Sequence, residues 1–149
     1  MSDATKSLLV LTVFYTFAAA LVAFATDIFS FRASYEGSGR EILMQMTRLA
    51  VFVVLAVILV FKGGWKGVLA AIVMVLAATT IEWILFPLAF GWAATSDPSG
   101  YADRFGSVGR PPYSEWPAIY DVLAVGISAA LTQGLKMMAH VNPTGPQDE

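Results

Sequence analysis

Residues 42–61 read ILMQMTRLAVFVVLAVILVF, and residues 62–66, which follow, read KGGWK. The first stretch is nearly all apolar and long enough to cross a hydrocarbon core of about 30 Å, which takes roughly 20 helical residues. Lipid satisfies no backbone N–H or C=O group, so a continuous apolar run of this length reads as a helix. A barrel strand would be shorter and would alternate apolar with polar positions. KGGWK leaves room only for a tight turn, so the helices before and after it are expected to be antiparallel neighbours.

The same pattern recurs outward from this hairpin. Residues 7–31, 67–92 and 117–139 are three further apolar runs. Residues 32–41 (RASYEGSGRE) form a polar connection. Residues 93–116 form a longer outer loop with DPSG and GRPP turn signals, and residues 142–149 (NPTGPQDE) a polar tail. The expected fold is therefore an all-α integral membrane protein of one domain, residues 1–149: an antiparallel four-transmembrane-helix bundle. Lys6, the apolar stretch after it and Ala23-Phe24-Ala25 also resemble a secretory signal with a cleavage site. Because the apolar run continues to Phe31, a retained first span is expected, with a three-span mature chain as the alternative.

Composition agrees. The chain has 149 residues, 57% hydrophobic and only 13% charged, where a soluble domain carries about 25% charged residues. Disorder needs the opposite composition. A net charge of −2 with no basic stripe argues against a nucleic-acid partner. The absence of cysteine removes disulfide, thiol-redox and iron–sulfur chemistry, and one histidine, His140, cannot ligate haem on both faces. No phosphate-binding loop, dinucleotide fingerprint, zinc-protease motif or nucleophile elbow occurs. The reading carries no catalytic residue, no metal and no cofactor.

With four spans, Lys6, Lys62, Lys66 and Lys136 fall on one side, and Arg32, Arg40, Arg48, Arg104 and Arg110 on the other. The basic totals nearly tie under the positive-inside rule. The short lysine turn favours N-in and C-in; a bacterial cytoplasmic membrane is the expected location, with an organelle as the alternative. Trp65, Trp92, Trp116 and Tyr120 lie near span ends, as interfacial anchors do.

Four ionisable residues fall inside the spans: Asp27, Arg48, Glu82 and Asp121. Each costs about 2.5–3.5 kcal/mol there on insertion scales. All four lie toward the arginine side, where independent accidents would scatter. Helical spacing puts Thr12, Thr16, Ala19, Ala23 and Asp27 on one stripe, Gln45 with Arg48, Thr79 with Glu82, and Asp121 with Ala124, Ser128 and Thr132. Gln45, Thr79, Ser128 and Thr132 are the supporting members of this polar cluster.

Arg48 is the only cation among the four, and Glu82 its expected partner, because a planar guanidinium takes a carboxylate bidentately. Two readings stand: a register-fixing ion pair, or a site that binds an ion, proton or small solute. With one arginine against three acids, at least one acid takes up a proton or a cation if all are buried together. For Asp27 and Asp121, contact with interfacial water is the plainer expectation.

Pro87 either kinks the third helix, freeing the Trp83 carbonyl near Glu82, or begins that helix's end. Gly126, Ala130 and Gly134 repeat every four residues, which permits close helix packing. Packing inside the bundle is the expectation, packing against another subunit the alternative. The functional expectation is a non-catalytic subunit or interaction partner of a larger membrane complex. The alternative is a small homo-oligomeric transporter or channel, and a lipid- or quinone-modifying enzyme comes last. Partners are the bilayer and either other subunits or further copies of this chain.

Overall fold

A computed structural model describes residues 2–35, 40–96 and 116–141. Among these residues the chain forms four helices: α1 (Asp3–Tyr35), α2 (Arg40–Gly63), α3 (Trp65–Ser96) and α4 (Trp116–Val141). Each is long and apolar enough to cross a membrane. The outer loop and the polar tail lie outside the described residues, as do the side chains of Trp92, Trp116 and His140.

The hairpin is tighter than the sequence suggests. Only Gly64 separates α2 from α3, and its φ of 56° is left-handed, a region that L side chains avoid. Gly64 N–H donates to the Val60 carbonyl at 2.8 Å, and Val68 N–H donates to the Gly64 carbonyl at 3.0 Å. The hydrogen-bond ladder thus passes through the turn. Gly67 is the second glycine the hairpin requires, since a Cβ there would collide with the Leu59 carbonyl oxygen.

The third helix does not end at Pro87. It runs on to Ser96, with Pro87 inside it. The proline lacks an N–H, so the Trp83 carbonyl loses its i+4 donor while the helix continues.

Polar contacts fix the helix directions. Arg48, near the start of α2, meets Asp27 near the end of α1 and Glu82 in the second half of α3. It also meets Asp121 at the start of α4, while Lys136 near the end of α4 reaches the end of α2. Hence α1 and α3 run one way, α2 and α4 the other. Helices α2 and α3 form the centre, and α1 and α4 each pack against both. Among the described residues α1 and α4 do not pack on each other.

Small residues make this packing close. Ala19 and Ala23 of α1, Ala56 of α2, Ala71 and Ala78 of α3, and Ala129 of α4 are fully covered. Phe52, Leu59 and Met74 fill the space between them. Large apolar side chains such as Phe14, Phe17, Leu21, Val54, Leu69, Ile84 and Leu131 point outward. The charged groups inside the spans are covered while many large apolar groups face outward, the reverse of a soluble domain's surface.

Candidate functional site

Each helix contributes one ionisable side chain to a single buried cluster. Arg48 and Glu82 are 1% exposed and Asp121 2%. The Asp27 side chain is 13% exposed, the widest opening in the group. Arg48 reaches this point because residues 45, 48 and 52 lie on the face of α2 that looks inward.

The guanidinium is shared out by geometry. Its Nη2 donates to Glu82 Oε2 at 2.7 Å, and its Nη1 donates to Glu82 Oε1. This is the bidentate fork that the sequence suggests. Nε donates to Asp121 Oδ2 at 2.7 Å, and Nη2 stands 2.6 Å from the same oxygen. Asp27 Oδ1 stands 3.6 Å from Nη1, an ion-pair distance beyond hydrogen-bond length. The Phe52 ring, one turn along α2, lies with its centroid 5.7 Å from Arg48 Cζ, close enough for a cation–π contact.

Asp121 therefore corrects the plainer expectation: it bonds the arginine rather than interfacial water. Asp27 departs from it too, since its Oδ2 is buried and accepts no hydrogen bond.

The supporting residues divide. Gln45 and Asp121 line a groove of about 630 Å³ between α2 and α4, walled by Ile42, Met46, Leu49 and Ile127. Thr79 and Thr132 do not join the cluster. The Thr79 hydroxyl donates to its own helix at the Val75 carbonyl (2.9 Å), and Thr132 donates to the Ser128 carbonyl (2.7 Å). A Ser or Thr hydroxyl has such an acceptor one turn back in any helix, so helical spacing to a charge does not commit it to that charge. Thr79 instead lines a second groove of about 400 Å³, between α3 and α4, with Trp83 and Ile119.

The small-residue stripe of α4 is also corrected. A Cβ at Gly126 or Gly134 would meet no atom within 4 Å, and Ala130 is exposed. The inward face of α4 carries Asp121, Val125, Ala129 and Gln133 instead. The stripe lies beside that face, part-covered at Gly126 and Gly134, and among the described residues no neighbour fills the space at either glycine.

The sequence reading leaves out Gln133 and places Lys136 only on the lysine side of the membrane. Gln133 is buried, and its Oε1 has no donor. Lys136 donates to the Phe61 carbonyl at 2.9 Å and lies 5.6 Å from the Phe61 ring centroid, capping the end of α2. The spacing Asp121, Val125, Ala129, Gln133, Lys136 was the available signal, one continuous stripe at steps of four and three. Polar contacts with α2 thus tie α4 at both of its ends.

Chemically, the cluster offers three carboxyls and one permanent cation. Among the described residues no group of histidine, cysteine and acidic side chains could hold a metal ion. The acids surround the guanidinium instead of converging on a common point. No family model, curated protein or solved structure matches the chain.

Proposed function

We propose that this chain is a multi-pass protein of a bacterial cytoplasmic membrane, N-in and C-in, and serves as a non-catalytic subunit of a larger membrane complex. The membrane assignment rests on four apolar helices with large apolar side chains outside and charges inside. The lysines of the Gly64 turn favour the cytoplasm for that end.

One observation carries the subunit reading. Helix α4 leaves Ala130 exposed and Gly126 and Gly134 only part-covered, with open space at both glycines among the described residues. In lipid, small residues gain little from facing acyl chains and much from close contact with another helix. The charged groups meanwhile occupy one another, which suits a rigid scaffold.

Gentle detergent extraction from the native membrane tests this. A defined companion polypeptide is expected to co-purify and to be lost when Gly126→Leu and Gly134→Leu are introduced together. Purification as a lone chain, or a companion indifferent to both substitutions, contradicts the proposal.

The second reading, a small homo-oligomeric transporter, draws on the excess of acid in the cluster. It requires that Glu82→Gln abolish solute or proton flux in vesicles while insertion stays normal.

A further inference from the structure

The buried cluster binds charge unevenly, and the imbalance points to a ligand. Three carboxyls surround one guanidinium, so if all were ionised two negative charges would be uncompensated. A low-dielectric interior does not hold such an excess; a proton or a cation neutralises it. The acids differ in what Arg48 gives them. Glu82 accepts from both Nη atoms, and Asp121 accepts from Nε. Asp27 receives no hydrogen bond from Arg48, and its Oδ2 is buried with no donor. A buried carboxylate oxygen without a donor is costly, whereas a protonated oxygen supplies its own hydrogen.

We infer that the cluster is a proton-binding site and that Asp27, the acid to which Arg48 gives no hydrogen bond, holds the proton as a neutral acid. The groups facing it are Arg48 of α2 and Glu82 of α3. Asp121 of α4 lies across the guanidinium, and α1 brings no second charged group to this point among the described residues. Asp27 is also the most exposed member of the cluster. With Asp27 neutral, one guanidinium faces two carboxylates, and one negative charge is removed from the interior. The assignment is independent of both functional readings, since a scaffold and a transporter could each hold such a proton.

Infrared spectroscopy of the full chain in lipid nanodiscs tests it at neutral pH. The expected result is a C=O stretch of a protonated carboxylic acid that moves in D₂O. It should persist in Asp121→Asn and disappear in Asp27→Asn. Labelling the unaltered chain with ¹³C-aspartate should move the band, which assigns it to an aspartate without any substitution. Raising sodium at fixed pH should leave it in place. The proposal is overturned by the absence of a band, by a band that the aspartate label does not move, or by a band retained in Asp27→Asn. Replacement of the band by sodium would equally overturn it, since the cluster would then be a metal-cation site.

Discussion

Arg48 is where the fold concentrates its electrostatic cost. One guanidinium holds carboxyls from all three other helices. Removing one partner of a buried ion pair typically costs about 3–5 kcal/mol, because the other charge stays behind. Arg48→Met should therefore destabilise the protein by at least that order, read as a lower unfolding midpoint in detergent. Asp27→Asn should cost much less, since it removes no Arg48 hydrogen bond; equal losses would contradict this ranking. At the opposite end, Lys136→Met removes the cap from the Phe61 carbonyl. A half-exposed contact of this kind is worth about 1 kcal/mol, measurable by the same unfolding curve. The identities of the four charged residues were legible in the sequence, because charge in an apolar run is conspicuous. Their division of Arg48 was not. Spacing gives a residue its face and depth, but not which acid reaches which nitrogen.

At the scale of the helix, the decisive places are the α2–α3 hairpin and the outer face of α4. Gly67 sits where the backbones touch, so Gly67→Ala should lower stability by about 1–3 kcal/mol, the usual cost of overpacking. Gly126→Ala and Gly134→Ala meet open space. In the isolated chain each should be neutral or should firm the helix by up to about 1 kcal/mol. A thermal melt of the three variants in one detergent separates the cases, and a large loss at Gly126 would refute the open-face description. The helices themselves were legible from continuous apolar runs. Pro87 misled because proline was weighed as an end signal, whereas α3 continues through it, as transmembrane helices can when their freed carbonyls find other partners. The glycine stripe misled because spacing marks a helix as packable without saying against what.

Among the described residues the helices form a rhombus with α2 and α3 on the short diagonal and α1 and α4 apart. Sequence reading reaches the four long apolar helices of the described residues and the antiparallel hairpin. It does not reach this diagonal, which depends on three-dimensional packing and not on connection length. The arrangement gives α4 an inner face tied to α2 at both ends and, among the described residues, a stripe of small residues with open space at its glycines. That division underlies the proposed role as a subunit. The most direct test is a photo-crosslinking amino acid placed at Ala130 in the native membrane, with Leu21, on the exposed face of α1, as control. The account predicts a discrete crosslink from position 130 to a different polypeptide, with lipid adducts alone from position 21. Lipid adducts alone at both positions, or a crosslink at 130 only to a second copy of this chain, would contradict it.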